Sequence, residues 1–265
     1  MKRFLNAFRF MTIIPVPGSK HADLSEAGRS AAYFPLVGLV IGLLMWAAAR
    51  LGLMLWSVPV AAVIVTALWF ILTAGMHVDG LADLADGLGG GWDVESRLRI
   101  MKDSAIGTYG AVAVGILMLM KTVFIFELAG SAAAPLLYAA LIVIPAAGRC
   151  AQVLSIRIFP PAKKEGFGIT FKNGVRNRDA AAAVIITLAV STAFWGLSGV
   201  LILAAAIVFM LAAGAWISNR LGGLNGDSYG AICELSELFL LITVSIIKPG
   251  STGWLQILFK MFTDA

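Results

Sequence analysis

From Ala31 onward the sequence is a succession of apolar runs, with nearly all charge confined to the segments between them. Each run approaches the ~20 residues that a helix needs to cross a bilayer. The runs are Ala31 to Leu55, Val58 to Met76, Ala111 to Leu128, Ala132 to Ala147, Ala180 to Gly196, Val200 to Ser218 and Ala231 to Ile247. Backbone polar groups in lipid must be satisfied within their own segment, so runs of this length form helices. The expected fold class is all-α: a polytopic transmembrane helix bundle of about seven spans, or six if the last is re-entrant, since Glu234 and Glu237 occupy its first turns. Only 13% of the 265 residues are charged and no stretch remains to bury an aqueous core, which points to one integral membrane domain over residues 1–265. Soluble domains carry about a quarter charged residues.

The first residues, MKRFLNAFRFMTIIPVPG, mix basic and apolar side chains, but Arg9 interrupts the apolar stretch and no small-residue cleavage site follows. An N-terminal interfacial helix ending near Pro15 and Pro17 is expected in place of a signal peptide. With that end inside, Lys2, Arg3, Arg9, Lys20, Arg29, Arg97, Arg99, Lys102, Arg149, Arg157, Lys163, Lys164, Lys172, Arg176, Arg178 and Arg220 all fall on inside loops. These are 16 of the 20 basic residues, leaving Arg50, Lys121, Lys248 and Lys260 elsewhere, so the positive-inside rule sets the orientation. The net charge of +5 is thereby explained by topology, and nucleic acid is not an expected partner. Cys150 and Cys233 are far apart and lack metal-type spacing, which makes them small core residues.

Against this background the segment HVDGLADLADGLGGG, His77 to Gly91, stands out. Asp79, Asp83 and Asp86 lie at offsets 0, 4 and 7, so on a helix they share one stripe. Three like charges on one stripe repel, and near a bilayer they call for a hard cation such as Mg2+. Asp79 and Asp86 are ~10 Å apart along a helix axis, so the spacing suits two ions bridged by Asp83 better than one. Gly80 and Gly87 leave room beside the stripe for a diphosphate or a second helix. His77 is a candidate ligand, phosphate contact or general base. The plainer alternative is a helix end with solvated acids.

Two further blocks fall on the same side of the membrane. MKDSAIGTYG, Met101 to Gly110, brings Lys102 and Asp103 to a polar turn opening the next span, where free amides can meet an anion. GGLNGDSYGAICELSE, Gly222 to Glu237, repeats the seven-residue acidic spacing at Asp227 and Glu234, with Asn225 just before them. Two acidic helix faces suggest a shared metal and diphosphate site, although a separate cation site or a capped helix start is also compatible. Arg149, expected at the inner end of its span, is the basic residue best placed for phosphate. Lys121 and Glu127 are six apart and do not share a face, so they are not expected to pair.

HVDGLADLADG, MKDSAIGTYG, GGLNGDSYGA and the early YFPLVGLVIG at Tyr33 to Gly42 together resemble the cobalamin synthase (adenosylcobinamide-GDP ribazoletransferase) family over nearly the whole chain. The sequence departs from that pattern at Ala105, often basic in the family, and Leu84, often small and polar. The resemblance implies a Mg2+-dependent, multi-pass enzyme of the bacterial or archaeal cytoplasmic (inner) membrane, with its active site on the cytoplasmic face. Such an enzyme joins adenosylcobinamide-GDP to α-ribazole or its 5′-phosphate, releases GMP and completes the nucleotide loop of cobalamin, in possible association with other cobalamin-assembly enzymes. His77, Asp83 and Asp86 are then the expected catalytic residues, and Asp79, Asp83, Asp86, Asp227 and Glu234 the metal ligands. Lys102, Asp103, Arg149 and Asn225 are expected at substrate.

Three other readings compete. A CDP-alcohol phosphotransferase-like enzyme also releases a nucleoside monophosphate from aspartates on membrane helices, but its pattern places an arginine where Asp83 stands. A prenyltransferase with an aspartate-rich diphosphate motif is more distant. A cation transporter would carry its acids near the bilayer midplane, whereas these are expected at one face.

Overall fold

The computed structural model describes residues 2–18, 23, 26–130, 134–162 and 166–246. Lys20, Lys163, Lys164, Ile247, Lys248 and Lys260 lie outside the described residues. The chain runs through α1 (Lys2–Met11), α2 (Ala27–Ser30), α3 (Phe34–Leu55), α4 (Val58–Leu72), α5 (Met76–Gly90), α6 (Val94–Ile100), α7 (Thr108–Ala129), α8 (Ala134–Ile158), α9 (Phe167–Gly174), α10 (Asn177–Trp195), α11 (Ser198–Leu221) and α12 (Gly226–Ile246). Among the described residues six helices are long and apolar enough to cross a membrane: Ala27–Leu55, α7, Leu136–Ile158, α10, α11 and α12. Val112, Ile116, Leu119 and Val123 on α7, with Val208 and Leu211 on α11, turn apolar side chains outward, as lipid-facing surfaces do. The protein is an all-α, multi-pass membrane bundle.

The irregular span is the second, not the last. The run Val58 to Met76 stops as a helix at Leu72, and α5 leaves at 88° to α4 after a three-residue turn. Ala74 (φ 52°) and Gly75 (φ 65°) both take the left-handed conformation, which ends one helix and redirects the next. At Gly75 a Cβ would stand 2.5 Å from the outer end of the exposed Phe70 ring, which could turn aside, so it is the positive φ that favours glycine there. α12, in contrast, is one unbroken helix of 21 residues. Its glutamates do not interrupt it because they meet partners inside the bundle.

α8 is the central helix, and buried positions run without a break from Ala140 to Val153. It extends to Ile158, past Pro145, so Arg149 sits within the helix and not at the end of a span. α3 packs closely along it. A Cβ on Gly42 would come 2.6 Å from the Ile142 and Leu141 carbonyl oxygens, and one on Gly38 2.6 Å from the Pro145 carbonyl carbon. Small residues four apart let two membrane helices approach this closely, which explains the glycines of YFPLVGLVIG.

The connecting segments are held by caps. Arg97 donates to the Arg220 carbonyl (2.9 Å) and the Gly91 carbonyl (3.1 Å), closing the ends of α11 and α5. Lys172 on α9 donates to the carbonyls of Arg157 (2.8 Å) and Phe159 (2.6 Å) at the end of α8. Burial, reinforced by Arg157, lowers its pKa. Asp93 caps α6 in a reciprocal box with Ser96, whose hydrogen bonds hold the Asp93 carboxyl below the usual carboxylate range.

Candidate active site

Asp79 and Asp227, from different helices, line one open pocket together with His77, Gln152 and Tyr229. α5 and α12 meet there because Gly80 carries no side chain: a Cβ at that position would stand 2.7 Å from the Asp227 carbonyl oxygen. Gly230 plays the reciprocal part, since its Cβ would stand 3.1 Å from the His77 Cα. The glycines beside both acidic stripes therefore serve helix contact. The cavity, open to solvent, has a volume of about 280 Å³, near the lower end of the range of small-molecule sites.

Asn225 is the N-cap of α12. Its Oδ1 accepts from the Ser228 amide at 2.9 Å, and its Nδ2 donates to Asp227 Oδ2 at 2.9 Å. One side chain thus starts the helix and orients the carboxylate of Asp227. Asp79 is exposed and Asp83, one turn later, is half-buried.

Asp86 has another task. Both its oxygens accept backbone amides at the start of α7, from Gly107 at 2.7 Å and Gly110 at 2.8 Å. The N-cap of α7 is Gly107, which has no side chain to offer. Asp86 supplies the missing acceptor and a negative charge at the positive end of that helix. This bond joins the first two motifs.

Glu234 is also diverted. It lies inside the bundle, paired with Lys121 at 2.6 Å, while Glu237 pairs with Lys121 at 2.7 Å and with Arg149. The Lys121 ammonium stands 3.9 Å from the Trp69 ring centroid. Two cations and two anions cancel, as charges in the bundle interior require. Lys121 is 13 residues into α7, ~20 Å from its start. The expectation that Glu234 and Glu237 lie at the membrane face is thus corrected, as is that of Arg149 at substrate: with 0% exposure it bonds Glu237 and the Pro145 carbonyl. Lys102 and Asp103 are exposed on the turn before α7 and do not line the pocket.

His77 is 1% exposed, its Nε2 3.2 Å from the Gln152 amide nitrogen and its Nδ1 without a hydrogen-bond partner. Gln152 is a polar residue in the most buried of the candidate spans, and its type alone did not mark it in the sequence. Tyr229, inside the third motif, was also passed over.

The donors fit a hard divalent cation in kind: carboxylates from α5 and α12 at an open pocket. Among the described residues no three His, Cys, Asp or Glu side chains are gathered tightly enough to hold a metal alone. That suits Mg2+, which is commonly held by one or two carboxylates and completed by substrate phosphates.

A family model described as cobalamin-5-phosphate synthase matches residues 3–245. The chain is 40% identical to a Roseiflexus protein over 92% of this chain and 89% of the relative. It is 40% identical to one from Brevibacillus brevis (92% and 98%) and 37% identical to one from Herpetosiphon aurantiacus (93% and 97%). All three relatives are named adenosylcobinamide-GDP ribazoletransferase. No solved structure matches. With the match running from α1 through α12 and taking in every residue of the pocket, the chain belongs to the cobalamin-5-phosphate synthase family.

Proposed function

We propose that this protein is an adenosylcobinamide-GDP ribazoletransferase of the cytoplasmic membrane, with its pocket on the cytoplasmic face. It joins adenosylcobinamide-GDP to α-ribazole or its 5′-phosphate and releases GMP. The observation that carries this reading is the meeting of Asp79 and Asp227 in one pocket with a buried histidine. A ribose hydroxyl attacks the phosphorus attached to the cobinamide, the bond from that phosphorus to the GMP oxygen breaks, and the hydroxyl proton must be taken up. The Gln152 amide nitrogen donates to His77 Nε2, so the neutral ring keeps its proton on Nδ1 and offers it as a donor to a substrate oxygen, while a pocket carboxylate, Asp79 or Asp227, takes up the hydroxyl proton. Asp79 and Asp227 would hold Mg2+, which neutralises diphosphate charge in such displacements. Asp86 takes part by fixing α5 against α7. No covalent intermediate on the protein is required.

The basic face supports the orientation: Arg97, Arg99, Lys102, Arg157, Lys172, Arg176, Arg178 and Arg220 lie in or beside the segments at the pocket's end of the bundle. Detergent-purified protein mixed with adenosylcobinamide-GDP and α-ribazole is expected to release GMP with Mg2+ and none in EDTA. Absence of GMP under every divalent ion would overturn the reading.

A further inference from the structure

One wall of the pocket is aromatic, built by three elements with no acidic motif: Phe10 from α1, Phe34 from α3 and Phe171 from α9. Their ring centroids lie 4.9 Å (Phe10 to Phe171), 6.0 Å (Phe34 to Phe171) and 6.2 Å (Phe10 to Phe34) apart. The lining also includes the acidic residues Asp79 and Asp227. It also carries three buried polar atoms without hydrogen-bond partners: His77 Nδ1, Gln152 Oε1 and Tyr229 Oη. Such atoms cost about 1–3 kcal/mol each when left unsatisfied, so their concentration in one pocket points to a ligand that meets them.

We infer that this pocket is the subsite for the nucleoside acceptor, with its flat, apolar base against Phe10, Phe34 and Phe171 and its ribose hydroxyls against Gln152, Tyr229 and His77. The inference rests on the proposed transferase reading and names which substrate lies where. A ribazole is a benzimidazole ribonucleoside: its base is a bicyclic aromatic plane with little polar edge, and its sugar both donates and accepts hydrogen bonds. Guanine, whose edge is rich in donors and acceptors, finds no polar partner on the aromatic wall. An acceptor seated this way brings its sugar, not its base, toward Asp79 and Asp227, where the phosphorus must be. The wall also assigns work to α1 and α9, two short helices outside the span-forming set: each contributes one ring.

The test is equilibrium dialysis of α-ribazole, free dimethylbenzimidazole and GDP against the full-length protein in detergent, without turnover. Phe10→Leu is expected to weaken α-ribazole binding about tenfold, in line with the ~1–3 kcal/mol that base stacking on an aromatic side chain contributes, and to leave GDP binding unchanged. Phe171→Leu, on a different helix, should act alike, so failure of one variant to fold leaves the other, and Phe10→Tyr should restore affinity. Tyr229→Phe should weaken α-ribazole but not the free base. Unchanged α-ribazole binding in both leucine variants, or loss of GDP binding in its place, would overturn the assignment, as would failure of the unmodified protein to bind α-ribazole. Intact, phenylalanine-dependent α-ribazole binding without any GMP release would overturn the transferase reading alone.

Discussion

α5 and α12 carry the same pattern, an acid followed seven residues later by a second acid, and the structure uses the two members of each pair differently. Asp79 and Asp227, the earlier members, line the pocket; Asp86 and Glu234, the later ones, hold the bundle together. Helical spacing puts both acids of a pair on one stripe, but a stripe ~10 Å long passes from the open pocket to a neighbouring helix. What the second acid meets then decides its role: amides of α7 for Asp86, the ammonium of Lys121 for Glu234. Equal spacing therefore does not mean equal function.

The sharpest way to break this division is at the interior charge network. Lys121→Met leaves Glu234 and Glu237 with one cation between them, and removing one partner of a buried pair costs about 3–5 kcal/mol. Thermal unfolding in detergent should show a large fall in Tm, partly recovered by adding Glu234→Gln. An unchanged Tm in the single variant would mean that the network carries no stability.

Next comes the comparison within α5. Asp79→Asn should lower GMP release at least about a hundredfold, the range seen when a group acting at the transition state is removed, with Tm nearly unchanged. Asp86→Asn should do the reverse: it presents one amide of α7 with a donor where an acceptor stood, costing about 1–3 kcal/mol. The protein that remains folded should keep turnover within a few-fold of normal. Equal losses of activity in both, at equal Tm, would return Asp86 to the catalytic set.

The smallest effect belongs to Asp93, exposed at the cap of α6 and outside the pocket lining. Asp93→Ala should lower Tm slightly at neutral pH through loss of the α6 cap. Because hydrogen bonds depress its carboxyl in the folded state, that contribution is present above the unfolded value and lost as pH falls through the folded one. The Tm difference between the two proteins should accordingly close in acid, and a difference that persists there would assign it to packing.

Much of this molecule was legible before any coordinates. Hydropathy recorded the spans and the all-α class, and the acidic stripes correctly located α5 and the start of α12. The turn at Ala74 and Gly75 was hidden because an apolar run reads the same whether it continues or bends. The apolar run ended at Ala147, yet α8 continues to Ile158, because the polar side chains that follow, Arg149 and Gln152, are buried among neighbouring helices. The aromatic wall left no trace at all: Phe10, Phe34 and Phe171 are far apart in sequence and ordinary for a membrane chain.

By itself, then, the sequence determined which segments are apolar enough to cross a membrane, that its positive charge gathers in the segments between them, and that carboxylates cluster on two helices, since each follows from local composition and helical period. Only the tertiary structure decided which of those carboxylates face the pocket and which are neutralised inside, because a charge in a membrane protein takes its role from the group packed against it. Lys121 is the clearest case. Nothing within α7 partners it, and its place in the molecule is set by Glu234, Glu237 and Trp69 from two other helices.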